Sequence, residues 1–391
     1  MTRRPAPDLV RRLPEQVFTR MLAAAAAAQA RPGPRFLDLG RGNPDLPPPP
    51  AAIAAVQEAA AQTATPVVHG YPPFQGRPEL RQAIADRYGR DHGVTLDPDT
   101  EVAVVPGTKT GIQLVCLATA QPGDTVLLPD PGYPDYRSGV ALAGARERAL
   151  PLDAATGWQP DWGAVRGDRE ALCVLNYPSN PCAACEAPGT FEHAVARAHE
   201  RGGWLLHDLA YGFLAFDGRR GRSVLEVDGA RDVAVELWSP SKVHGMAGWR
   251  VGFLVGNAEV VGRVKTLVDH LTAGVWTALQ RGLEVALTDA QDVAGRAAVY
   301  AARRDRLVAG LRAAGADVAA PEGTFYAWWR PPEGVTVEVL AQEARVGVAP
   351  GEGFGARGAG YVRLSLALPD ADLDEAVGRV AQLLRDRRAA G

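Results

Sequence analysis

Six short apolar runs, each closing on turn residues, constrain the fold of this chain more than any other feature. They are EVAVVPG (101–107), DTVLLPDPG (124–132), ALCVLNYPSNP (171–181), GWLLHDLAY (203–211), VAVELWSPSK (233–242) and WRVGFLVGN (249–257). Helix-like stretches such as GTFEHAVARAHERG (189–202) lie between several of them. Strands alternating with helices build a mostly parallel sheet covered on both faces, and runs apolar on both sides suit its interior. The expected fold class is therefore α/β. In such sheets ligands bind outside the carboxyl ends of the strands. Asn180, Asp208 and Lys242 all follow these runs, so the fold would bring them to one rim.

The 391 residues are enough for two domains. Residues 51–285 are expected to form a large domain, in which 258–285 read as helical. Residues 286–391 would form a smaller α+β domain, with helices at 290–314 and 371–388 and a β-like segment at 323–329. Residues 1–50 would be an N-terminal arm that completes the small domain. Its stretch LDLGRGNPDLPPPP (37–50) is too rich in proline and glycine for regular structure. The segment MLAAAAAAQA (21–30) follows arginines as a secretion signal would, but Asp8 and Glu15 interrupt the basic region. Alanine is the best helix former, so the segment reads as an N-terminal helix. No stretch approaches the ~18 consecutive apolar residues of a membrane span.

Charge and cysteine content narrow the function. With 42 basic and 45 acidic residues the net charge is −3. No basic field is available for nucleic acid or an anionic membrane, which points to a small-molecule partner. The four cysteines, Cys116, Cys173, Cys182 and Cys185, imply a reducing, cytoplasmic setting without a disulfide framework. Cys182 and Cys185 lack the second ligand pair of a structural zinc site, so no metal is expected.

Only three of the basic residues are lysines: Lys109, Lys242 and Lys265. Lys242 ends a strand-like run, where an amine can form a Schiff base with an aldehyde. Ser239 and Ser241 just before it, and Arg250 just after, supply the hydroxyls and guanidinium that a phosphate monoester needs. A solvated lysine in a Ser/Pro loop is the plainer reading. Asp208 in HDLAY would be costly to bury without a partner such as a protonated pyridine nitrogen, or it could cap the next helix. Tyr211 lies three residues on. Asn180 precedes a proline and could donate to a phenolate oxygen, or simply form a turn. Thr108 stands where a strand passes into a helix, a natural phosphate seat. Lys109 would be a phosphate neighbour or a solvated charge, and Lys265, in a helical run, a surface charge. Tyr133, in a Pro/Gly turn, could stack on a planar ring or pack at the turn. Phe74 and Trp276 could shape an apolar pocket or belong to the core.

Together these segments resemble a family. GRGNPD, HGYPPFQG, PGTKTG, DPGYPDY, LNYPSNP, HDLAYG, SPSKVHGMAGWRVGF, GTFYAWW, APGEGFG and YVRLSL occur in the order found in pyridoxal-5′-phosphate (PLP) enzymes of fold type I, specifically class I/II aminotransferases. The resemblance spans roughly residues 14–385 and is closest in wording to the LL-diaminopimelate aminotransferase-like branch. It implies that Lys242 holds PLP and acts as general base, that Asp208 pairs with the pyridine nitrogen, and that Asn180 and Tyr211 hold the ring oxygen. Tyr133 would stack on the ring. Thr108, Lys109, Ser239, Ser241 and Arg250 would surround the phosphate, with Tyr71 reaching it across a homodimer interface. Gly42, Asn180 and Arg363 would bind the substrate, with Arg363 and Gly42 taking its carboxylate.

Three departures bear on the reaction. The chain has Cys182-Ala183 where the family usually has Thr-Gly, Val243-His244 after the lysine where Thr-Tyr is usual, and Thr110 where Glu is common in the branch. His244 is either an added proton donor or a residue turned away. The expected activity is transfer of an amino group from an L-amino acid to a 2-oxo acid by a ping-pong cycle. The alternatives are PLP-dependent elimination, replacement, decarboxylation or oxidation in a specialised pathway. A non-catalytic sensing module would need an attached DNA-binding domain, for which the chain leaves no room outside the fold.

Overall fold

The computed structural model describes residues 6–64, 66–167, 169–288 and 290–390. Strand β1 (Leu37–Asp38) is followed by β2 (Val102–Val105), β3 (Thr125–Asp130), β4 (Arg146–Asp153), β5 (Gln159–Pro160), β6 (Leu172–Leu175), β7 (Trp204–Asp208), β8 (Ala234–Trp238) and β9 (Gly252–Gly256). From β2 onward these strands form one sheet in the order β2-β9-β8-β7-β6-β3-β4-β5. The run from β8 to β4 is parallel. β9 lies antiparallel to both β8 and β2, and β5 antiparallel to β4. All six apolar runs therefore enter the sheet. β4 and β5 do not appear among those runs because they form the edge: RERALPLD buries only two of its eight residues and so lacks a continuous apolar pattern.

Alternate residues of the central strands feed two cores, one on each face. Val126, Leu128, Leu172, Val174, Leu206, Val235 and Leu237 pack with the helices Thr108–Thr119, Tyr136–Ala143 and Ala258–Leu271. Leu127, Cys173, Leu175, Leu205 and Trp238 face the other way, against the helix Thr190–Arg201 and the C-terminal elements. This two-sided cover is why the runs are apolar at most successive positions instead of alternating.

The C-terminal part contributes β10 (Tyr326–Trp329), β11 (Val346–Gly347), β12 (Ala349–Pro350) and β13 (Val362–Ser365), flanked by the helices Ala290–Ala313 and Asp370–Ala390. β10, β13 and β12 form an antiparallel sheet. Leu37 and Asp38, expected to be irregular, instead pair parallel with Val346 and Gly347 and tie the N-terminal arm to this part. The alanine-rich segment is helical, over Val17–Gln29. The stretch 258–285 is two helices, Ala258–Leu271 and Thr277–Thr288, broken where Ala273 and Gly274 take positive φ. Lys265 is a correction. It is buried, not a surface charge, and donates Nζ to the Asp99 carbonyl at 2.6 Å. Its long stem packs beside the valine stripe while the amine finds a backbone acceptor. Among the described residues no helix is long and apolar enough to cross a membrane.

Candidate active site

Four strands deliver their following loops to one rim. Tyr133 follows β3, Asn176 to Asn180 follow β6, Tyr211 follows β7, and Ser239 to Lys242 follow β8. Of these residues Tyr133, Asn176, Asn180, Tyr211 and Lys242 line a cavity of about 640 Å³, together with Gly42, Thr108, Asp208 and Arg363; Ser239 and Ser241 lie outside its lining.

Asp208 closes β7 and is buried. Its Oδ2 accepts from the Tyr136 hydroxyl at 2.8 Å and its Oδ1 from the Ala210 N–H at 3.2 Å. Burial pushes its carboxyl above the ordinary range, and the Tyr136 hydroxyl only partly offsets that. Its own carbonyl accepts from Asn176 Nδ2 at 2.7 Å, and Asn176 Oδ1 in turn accepts from the Asn180 N–H at 2.8 Å. Behind it, His207 holds Glu236 of β8 at 2.6 Å, and Tyr88 and Ser223 donate to the same carboxylate at 2.6 and 2.9 Å. This buried network pins β7 to β8, the two strands that carry Asp208 and lead to Lys242.

Lys242 donates Nζ to the Gly42 carbonyl at 3.0 Å. Arg363 is fully buried. It donates Nη1 to Asn180 Oδ1 at 2.7 Å and Nη2 to the Gly40 carbonyl at 3.1 Å. Its Nε has no hydrogen-bond partner among the described residues. Arg363 holds the Asn180 amide oxygen, which leaves the NH2 as that side chain's donor group. The Arg363 guanidinium also lies 3.9 Å from the Tyr326 ring centre.

The loops that carry the remaining predicted residues converge beside the helix start at Thr108. Gly107, the residue capping that helix, has φ +80 and ψ 163. A Cβ there would stand 2.6 Å from Arg250 Nη2, and one at Gly252 would stand 2.9 Å from Ser239 Cβ. Arg250 reaches the Pro106 carbonyl at 3.4 Å, and the Ser241 N–H donates to Ser239 Oγ at 3.2 Å. Lys109 is neither free nor buried: it pairs with Asp135 at 2.9 Å. Tyr71 stands apart, 86% exposed and outside the cavity lining. Phe74 and Trp276 do not line the cavity either. Phe74 lies against the Tyr71 ring, and Trp276 donates its indole N–H to the Val68 carbonyl at 2.9 Å. His244 is buried, packs its ring edge against Trp238, and is absent from the lining. Cys182 packs with Trp328 and Phe354. Among the described residues no cluster suits a metal ion.

Tyr136 and Tyr326 lie within the segments DPGYPDY and GTFYAWW but had been given no role, and the helix Val17–Gln29 enters the site without a motif to announce it. Tyr136 is one helical turn beyond Tyr133. Tyr326 accepts from the Tyr211 hydroxyl at 3.1 Å. Burial would raise its hydroxyl pKa, but Arg363 and Lys242 overcome this and lower it, whereas burial and Tyr326 push Tyr211 well up. Phe18 and Met21 of the helix line the cavity, and their spacing in the sequence was the available signal.

A model of the class I and II aminotransferases matches residues 34–380. The chain belongs to this family. It is 40% identical over 383 residues to the L-glutamine–4-(methylsulfanyl)-2-oxobutanoate aminotransferase of Bacillus subtilis, covering 96% of this chain and 95% of the relative. It is 38% identical over 380 residues to an LL-diaminopimelate aminotransferase of Dehalococcoides mccartyi, covering 95% and 97%. Substrate-bound BacF from Bacillus subtilis has the same fold, with a TM-score of 0.92 at 35% identity over 98% of both chains. The chain is thus an aminotransferase of fold type I, an enzyme that transfers amino groups between amino acids and 2-oxo acids.

Proposed function

We propose that this aminotransferase works with pyridoxal 5′-phosphate, attached covalently at Lys242, and shuttles the amino group in a ping-pong cycle. The reading is carried by one observation: a lysine amine, a buried carboxylate and a buried guanidinium with an unpartnered Nε share one cavity. The residues suit the cofactor. Asp208, whose charge is costly where it stands, gains a partner in a cationic ring nitrogen. The Asn180 amide and the Tyr211 hydroxyl are donors of the kind a ring oxygen needs. Tyr133 offers a ring face. The crowded turn of Gly107 with Thr108, Lys109, Ser239, Ser241 and Arg250 offers the backbone and side-chain donors of a phosphate seat.

When bound, the cofactor supplies the electron sink that lets the substrate α-carbon lose a proton. Arg363 takes the substrate carboxylate, with Gly42 beside it, and so fixes the α-carbon next to Lys242. Lys242 removes the α-proton and redelivers it, and its reach is set by the same Gly40–Gly42 segment that touches Arg363. Asp208 keeps a proton on the ring nitrogen. Tyr211 lends the ring oxygen the hydroxyl proton that it otherwise donates to Tyr326.

The working unit is a cytoplasmic homodimer in which Tyr71 serves the partner's phosphate seat, and residues 51–285 and 286–391 act as large and small domains around the cavity. One turnover without a 2-oxo acid acceptor tests the reaction. The loaded enzyme is expected to release one equivalent of 2-oxo acid per site and stop. Continued turnover from the amino acid alone would point to elimination or oxidation instead.

A further inference from the structure

The helix Val17–Gln29 buries none of its residues, yet it is tied down at both ends. Gln16, its N-cap, donates Nε2 to Asp135 Oδ1 at 3.0 Å. Arg345 donates to the Ala28 carbonyl at 2.9 Å and to the Arg31 carbonyl at 3.1 Å. Between these ties Phe18, Met21, Ala25 and Ala28 are half-buried, and all four line the cavity. Steps of three and four residues place them on one face of the helix. That face is uncharged. Arg20, the helix's charged residue in the lining, is exposed and pairs with Glu15 at 3.1 Å.

Phe18 stands over the guanidinium. Its ring centre is 5.8 Å from Arg363 Cζ, 6.1 Å from the Tyr133 ring and 6.4 Å from the Phe354 ring. Met21 Cε would lie 3.3 Å from a Cβ at Gly40, whose carbonyl holds Arg363. We infer that this face is the roof over the substrate side chain, that Phe18 and Met21 select it, and that it is uncharged and apolar: a branched aliphatic chain, a thioether or a single aromatic ring.

This inference rests on the amino-transfer reading above. A carboxylate at Arg363 and an amine at Lys242 fix the α-carbon, which leaves the side chain to run beneath the helix. The other charges of the lining do not favour a distal carboxylate there. Asp38 already accepts from the Gly40 N–H at 2.9 Å, and Glu352 from the Gly360 N–H at 3.3 Å. Arg41 and Glu338 are exposed lining residues of opposite sign. An apolar side chain gains by leaving water under Phe18 and Met21, whereas a carboxylate beneath that uncharged face would lose its hydration.

Two measurements on the loaded enzyme test this. In the first, calorimetry compares unreactive acids: 4-methylpentanoate and 3-phenylpropanoate against glutarate. The apolar acids are expected to bind at least about tenfold more tightly, and Phe18→Ala to remove most of that difference. In the second, leucine, methionine and phenylalanine are compared with aspartate and glutamate in the half-reaction without acceptor. The apolar amino acids are expected to lead by about tenfold or more in kcat/KM, with Met21→Lys shifting the ranking toward the acidic pair. Tighter binding of glutarate, or a ranking unmoved by both substitutions, overturns the roof assignment. If no amino acid yields a 2-oxo acid, the amino-transfer reading fails, and the calorimetric ranking still decides the roof.

Discussion

Asp208 is a buried carboxylate in the cavity wall, and its behaviour with pH follows from that. With its pKa raised, the folded protein binds the proton more tightly than the unfolded chain does. Stability of the cofactor-free protein therefore falls as pH rises from the unfolded value of about 3.9 through the raised folded value, and stays low above it. Asp208→Asn should lose this dependence, so its advantage over the parent grows across that window. Denaturation of the cofactor-free proteins at a series of pH values checks this, and loading with the cofactor should reverse the ranking. At Arg363 the expectation concerns the substrate alone. Arg363→Lys should weaken productive amino-acid binding by about 2 kcal/mol, the scale of a charge-assisted hydrogen bond, and leave cofactor binding intact. An unchanged KM for every amino acid would refute the role. Asp208 and Lys242 were legible because each ends an apolar run, where a charge has no packing reason to stand. Tyr136 and Tyr326 were not, because a tyrosine near other aromatics reads as core until its hydroxyl partner is known. Lys265 was misread for a related reason, since helical spacing gives a face but not the backbone carbonyl that receives the amine.

Two elements set the geometry of the site. The turn between β2 and the helix Thr108–Thr119 needs glycine twice over. Gly107 lies in a backbone region that essentially only glycine occupies, and its missing side chain admits Arg250. Gly107→Ala is expected to cost about 1–3 kcal/mol of stability and to displace the guanidinium. Chemical denaturation measures the first effect, and weaker binding of the phosphate-bearing cofactor the second. This turn was visible in the sequence as PGTKTG because glycine before a helix-starting threonine is a local signal. The helix Val17–Gln29 was visible only as a helix. Its place over the cavity depends on Gln16 meeting Asp135 and Arg345 meeting Ala28, contacts more than a hundred residues apart in sequence. The antiparallel edges β2–β9 and β4–β5 escaped for the same reason: strand direction is a matter of partners, not of local pattern.

At the scale of the whole molecule the α/β architecture was legible because its two-sided sheet imposes continuous apolar runs that few other folds require. The expectation of a homodimer rests on the resemblance alone. Tyr71 is highly exposed, as are Val67 and, in part, Trp276 nearby. A homodimer that shares its sites is expected from mass measurement in solution. Mixing Tyr71→Phe subunits with Lys242→Ala subunits should raise activity above the mean of the two parents, because exchange creates one intact site. An active monomer would contradict the shared site. The proposed chemistry depends on which lysine carries the cofactor, and the chain offers three. Borohydride reduction of the loaded enzyme, followed by peptide mapping, tests this most directly. The account predicts the reduced cofactor on Lys242 alone; finding it on Lys109 or Lys265 would contradict it.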